Sequence, residues 1–142
     1  MDYNNIIEMW KFTRAKFTEK IEKIDEADLT LKLDKASIGE IIYHTAEAEY
    51  IFADWFLGRK LNQPFPINIT KDKSALLKFL QEANEDLITT MEILPKEKWT
   101  EKIPSKMGES TPAEAIGRLI YHAAIHAGQI TFIQQQCKRT KN

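Results

Sequence analysis

Apolar residues along this chain recur with a period near 3.6 over four long stretches, and strand-like alternation does not compete with that pattern. The first stripe is Ile7, Trp10, Phe17, Ile21 and Ile24, at spacings of three, four or seven. It predicts a helix from about Tyr3 to Ile24, with Asp2 as its cap. A second helix is expected from Ser37 to about Gly58. Ser37 and Glu40 have the spacing of a capping box, and Gly58 suits the left-handed conformation past a helix end. A third runs from around Thr70 through Leu76, Leu80, Ala83, Leu87, Met91 and Leu94 until Pro95 stops it. The fourth has the strongest start signal: Thr111 caps, Pro112 takes the first position where its missing amide costs nothing, and Glu114 completes a second capping box. Its stripe continues through Leu119, Ala123, Ile130 and Ile133.

Four helices of about twenty residues or more, each about 30 Å long, make an all-α four-helix bundle the expected fold. The connectors are long for a simple bundle, roughly a dozen residues or more against the usual 2–8. An up-down-up-down order is therefore not forced, and a diagonal crossover is allowed. Residues 60–69 and 95–110 are expected loops that either rim a site or simply connect.

Composition narrows the class. The 142 residues suit one domain spanning 1–142, large enough to bury a core without disulfides. A lone cysteine, Cys137, fits a reducing, cytoplasmic setting. No apolar run approaches the ~20 residues of a membrane span. Twenty basic residues stand against twenty-one acidic ones, and only the tail Lys138, Arg139 and Lys141 collects one sign, which argues against a nucleic-acid surface.

The candidate chemistry lies with three histidines. His122 and His126 are four apart and so lie one above the other on a helix, in a row with Leu119, Ile130 and Ile133. His44 shares a row with Ile41, Ala48, Ile51 and Trp55, and all three imidazoles are expected to face inward. Two readings stay open. Each could be an interior histidine bonded to a carbonyl or water, or one divalent cation could satisfy all three, since unpartnered buried imidazoles are costly. Three imidazoles leave a coordination position open, the pattern of a catalytic zinc site, and nickel, iron and cobalt also accept this ligand. A zincin is excluded, because Ala123 stands where that motif needs glutamate. A carboxylate-bridged di-iron site is disfavoured, since the fourth segment offers no inward glutamate near its histidines.

Glu47, three residues after His44, could orient an imidazole or take a proton from bound water, or could be an ordinary surface glutamate. Gln129 could reach a ligand, though a packing or surface role is the commoner one. Cys137 lies two to three turns past His126, too far to ligate. Tyr43, Tyr50 and Tyr121 could line a pocket, though they, like Trp10, Trp55 and Trp99, are read first as core and rim.

The segments Ile41-Ile42-Tyr43-His44 with Ala46-Glu47-Ala48-Glu49, and Leu119-Ile120-Tyr121-His122-Ala123-Ala124-Ile125-His126-Ala127-Gly128-Gln129-Ile130, resemble the DinB-like (YfiT-like) family of metal-dependent enzymes. The resemblance implies an up-down-down-up four-helix bundle, one divalent metal on His44, His122 and His126, with zinc or nickel favoured and iron also accommodated, and frequently a homodimer. It further implies a thiol-dependent transferase or a hydrolase acting on a small molecule, with a low-molecular-weight thiol as a candidate cofactor. A non-catalytic metal-binding or protein-interaction bundle is the alternative. The family name carries no implication of DNA binding. Many relatives have arginine directly after the last histidine; this chain has Ala127, so any contact made by that arginine is missing here.

Overall fold

The computed structural model describes residues 3–139. Four helices carry the architecture: α1 (Asn4–Glu22), α2 (Ile38–Leu57), α3 (Lys73–Ile93) and α4 (Pro112–Arg139). Short 3-10 turns occupy Glu26–Thr30 and Lys96–Lys98, and the β-structure among the described residues is a single isolated bridge, Ile103 with Ser110. The Asp2 cap lies outside the described residues, as does Lys141.

Both expected capping boxes form. At α2, Glu40 N donates to Ser37 Oγ at 3.1 Å while Ser37 N donates to Glu40 Oε1 at 3.0 Å. At α4 the pair is Glu114 N to Thr111 Oγ1 at 3.1 Å and Thr111 N to Glu114 Oε1 at 2.8 Å. The backbone amide each glutamate accepts from holds its carboxyl below the usual carboxylate value. Gly58 ends α2 with φ of 74°, as its position suggested. The third helix starts three residues later than expected. Its cap is Asp72, whose carboxylate accepts from Ala75 N at 3.1 Å, so Thr70 is left in the connector.

In the bundle, α1 packs on α3 and α4, and α2 packs on α3 and α4. Trp10 Nε1 donates to Asn84 Oδ1, Arg14 to the Leu80 carbonyl and Lys73 Nζ to the Glu22 carbonyl, so α3 runs back along α1. Between α2 and α4, His44 meets His122 and His126, whereas Phe52 and Phe56 meet Arg118, so these two also run oppositely. Tyr43 touches Phe79 and Arg59 pairs with Asp86, so α2 and α3 run the same way. Parallel neighbours need a connection that returns along their length. The segment 58–72 does this: Leu61 N reaches Asp54 near the end of α2, Tyr43 Oη donates to the Pro66 carbonyl, and the Thr70 carbonyl crosses over Gly39 near the start of α2. The crossing is tight enough that a β-carbon at Gly39 would sit 1.8 Å from that oxygen.

The core divides into two clusters. One gathers Phe17, Ile21, Ile42, Leu76, Leu80 and Ile130, the other Ile7, Trp10, Leu87, Met91, Ile116 and Leu119. Between them lies a fully buried ion pair, Arg14 with Glu49. Arg14 Nε donates to Glu49 Oε2 at 2.6 Å and Nη2 to Oε1 at 3.2 Å. Two further guanidinium donors reach Thr18 Oγ1 at 2.6 Å and the Leu80 carbonyl at 2.7 Å. Burial pushes the Glu49 carboxyl up, against the pull of Arg14.

Removing one member of a buried pair strands the other charge, at a cost of about 3–5 kcal/mol, whereas replacing both with apolar side chains is often close to neutral. Glu49→Ala is therefore expected to lower the unfolding free energy by about that amount, and Arg14→Met/Glu49→Leu to recover most of it. Urea unfolding of both variants is the check. A double variant as unstable as the single one would mean that shape, and not charge, is what the pair supplies.

Candidate metal centre

The three histidines predicted from sequence come together on the α2–α4 face. The ring centroids of His122 and His126 are 4.1 Å apart, and His44 stands 5.1 Å from His122 and 5.6 Å from His126. Each imidazole offers one nitrogen such that all three lie within 4.8 Å of one another. Among the described residues this is the group of histidine, cysteine and carboxylate side chains close enough to share an ion.

Their environment differs from expectation in one respect. His122 and His126 are half-buried, but the His44 side chain is 56% exposed and does not face the core. The reason is helical phase. The buried residues of α2 centre on Ile38, Ile42, Thr45, Glu49 and Phe56, and at about 100° per residue His44 falls about 140° from that centre. The row of Ile41, Ala48, Ile51 and Trp55 marks the margin of the buried arc, not its middle. The cluster is thus a surface site in the seam between two helices.

Neighbouring groups orient the rings. His126 Nδ1 lies 2.7 Å from Gln129 Oε1, and since that oxygen can only accept, Nδ1 carries the proton and Nε2 is left with its lone pair. This Nε2 lies 2.8 Å from His122 Nε2. Glu47 Oε1 is 3.5 Å from His44 Nδ1, in range of charge but not of a short hydrogen bond. Gln129 thus contacts the site, the less common of the two roles its spacing from His126 allowed.

Electrostatics keep the pair on α4 neutral. Burial, then the charges of His126 and His44, lower the His122 pKa from 6.5 to about 4. Burial also lowers that of His126, with the Gln129 bond pulling the other way and His44 adding to the fall. Neutral imidazoles are the form that binds metal.

The remaining candidates take other places. Of the loop 60–69, residues 60–66 rim a cleft between α2 and α3 with Tyr50 and Phe79, away from the histidines. Residues 95–110 carry Trp99, buried and stacked on Tyr3 at 5.2 Å, and reach Arg118 through Ser110. Residues 33–36 are the connector that borders His44 and His126, and no motif in that stretch announces it. Trp10 is core, Trp55 stacks on Phe52, Tyr43 packs on Phe79, and Tyr121 is exposed. Cys137 Sγ sits 3.8 Å from the Lys32 carbonyl near the end of α4 and does not join the cluster.

The bundle thus brings three imidazoles together on the seam between α2 and α4. The chain belongs to the DinB superfamily, whose sequence profile matches residues 9–130. It is similar in fold to a DinB-like protein from Bacillus cereus ATCC 10987, at a TM-score of 0.81 and 13% identity over 95% of this chain and 92% of that one. YfiT from Bacillus subtilis, described as a probable metal-dependent hydrolase with an unusual four-helix bundle topology, aligns at a TM-score of 0.72 and 17% identity over 95% and 87%. A mycothiol-dependent maleylpyruvate isomerase aligns at 0.67 and 11% identity over 92% of this chain but only 61% of its own. Among curated protein sequences none matches the chain. Among the described residues no helix is long and apolar enough to cross a membrane.

The lowered His122 pKa sets a sign for acid stability. The unfolded chain takes up a proton near pH 6.5 and the folded one only near pH 4, so the contribution is full above 6.5 and is lost progressively between 6.5 and 4. His122→Phe is expected to flatten the fall in thermal midpoint across that window relative to wild type, and a wild-type ring that titrates by NMR near 6.5 would contradict the assignment.

Proposed function

We infer that His44, His122 and His126 hold one divalent metal ion, and that the protein is a metal-dependent enzyme acting on a small molecule. The observation that carries this reading is the set of three imidazole nitrogens, from two helices, within 4.8 Å of one another. Ligand nitrogens on a tetrahedral ion with bonds of about 2.0–2.1 Å stand about 3.3 Å apart. The His122–His126 pair, at 2.8 Å, lies inside that spacing and all three nitrogens lie within 4.8 Å of one another, so an ion would draw the rings into a common arrangement. Zinc or nickel suits the donors best, and iron is accommodated.

When bound, such an ion supplies Lewis acidity and lowers the pKa of a coordinated water or thiol. The protein's own part is to place the rings. Gln129 fixes the His126 tautomer, presenting Nε2. Glu47 is set to steady His44, and it is also the carboxylate at hand to accept a proton from a group held over the seam. Hydrolysis, or transfer with a low-molecular-weight thiol, is the reaction class; one structural neighbour is described as a probable metal-dependent hydrolase and another as a mycothiol-dependent isomerase.

The reading includes three further points. The helix order is up-down-down-up, supported by the opposed runs of α1 with α3 and of α2 with α4, and the common run of α2 with α3. The chain acts as a single domain in the cytoplasm. It pairs as a homodimer, supported by apolar side chains left exposed on α1 (Met9, Phe12) and α4 (Tyr121, Ile125).

Equilibrium dialysis against zinc or nickel, with metal analysis of the protein, is the test. Wild type is expected to take up close to one equivalent per chain, and His122→Ala and His126→Ala to lose it. Gln129→Leu and Glu47→Gln should weaken binding by about 10–100-fold while leaving the fold intact. Equal and negligible metal in wild type and variants under replete conditions would remove the proposal.

A further inference from the structure

A groove of about 410 Å³ opens beside His44 and His126, between the connector preceding α2 and the second half of α4. Its floor is Ile41 and Ile133, each buried, and its walls include Ala36, Leu33 and Phe132. Leu33 and Phe132 are 49% and 55% exposed, large apolar side chains held in water at the mouth of a histidine cluster. Scattered exposed apolar residues are ordinary, but two lining one groove that ends at polar, convergent groups have the form of a small-molecule site. The charged lining residues, Asp34 and Lys35, are one of each sign, so the groove has no cation cluster that would read a phosphate or polycarboxylate.

We propose that this groove takes the apolar body, a short alkyl chain or aryl ring, of a neutral or singly charged small molecule whose polar head reaches His44 and His126. The proposal rests on the reading of the histidines as a metal centre and adds the substrate class. Specificity then divides between two ends: the imidazole cluster engages the reacting head, and Ile41, Ile133, Leu33 and Phe132 select the body by contact area.

The test uses the zinc-loaded full chain and two hydroxamates with the same metal-ligating head, acetohydroxamate and octanohydroxamate, compared by calorimetry. Burial of a methylene is worth about fourfold when complete and about twofold in an open groove, so six added methylenes should tighten binding by roughly 50-fold or more. Ala36→Trp, which fills the groove from an exposed position, should abolish that gain while acetohydroxamate binds as before. Equal affinity for both probes in wild type overturns the proposal, as does a chain-length gain that survives Ala36→Trp; a second copy of the chain covering the groove would give the first of these results. If zinc does not bind, the metal reading fails separately. The groove is then judged on zinc-free protein, where octanohydroxamate should shift the methyl signals of Leu33, Ile41 and Ile133, and unshifted signals overturn the proposal.

Discussion

The Arg14–Glu49 pair is the constraint around which this bundle is arranged. It joins α1 to α2 across the core, and through the Leu80 carbonyl it takes in α3. A charge pair at the centre of a small protein is tolerable only if every donor and acceptor is matched, and the guanidinium here meets a carboxylate, a hydroxyl and a carbonyl. Such a demand fixes the longitudinal register of three helices, because sliding any of them by a turn would leave a charge without its partner. Apolar packing alone is more forgiving of such slips. Among the described residues no buried side-chain nitrogen or oxygen lacks a partner, so the register satisfies the whole polar interior.

That register also places the histidines. Glu49 faces inward from α2, and His44, five residues earlier, faces the seam with α4 on the outer side of the same stretch of helix. On α4, His122 and His126 fall between Leu119 of one core cluster and Ile130 of the other. The imidazoles thus sit at mid-height on the bundle, backed by the part of the interior whose alignment is most tightly specified. A site that needs three nitrogens within a few ångströms gains from such backing, since ligand geometry tolerates little error.

Much of this was legible in the sequence, for identifiable reasons. Period and capping residues announce helices locally, so all four elements and both capping boxes could be read, as could the sharing of one face by His122 and His126. The inward placement of His44 could not be read correctly, because its row is apolar on the edge of the buried arc as well as at its centre, and only packing decides which edge meets a neighbour. The ion pair did leave a trace. The stripe of α1 steps from Trp10 to Phe17, and the position it passes over, in phase with Ile7 and Ile21, is Arg14. A cation in the middle of an apolar row asks for an inward anion, but which glutamate answers depends on tertiary contacts that no spacing rule supplies. The connector bordering the site was missed for the same reason: nearness in space between residues 33–36 and α4 is not encoded by any local signal.

The return of the α2–α3 connector along the length of α2 carries a consequence for how the protein is made. Because α2 and α4 are neighbours that follow one another only after that return, all of α3 and a second crossing, His44 is separated from His122 by 78 residues (122 minus 44). The cluster closes a long loop, and it can do so only when the final helix docks. A nascent or truncated chain lacking α4 would carry a solitary imidazole on a solvent-facing slope, so the site exists only once α4 has docked. Any ligand that bridges α2 to α4 there would then behave as a clasp, drawing its hold from the completed chain and resisting its undoing.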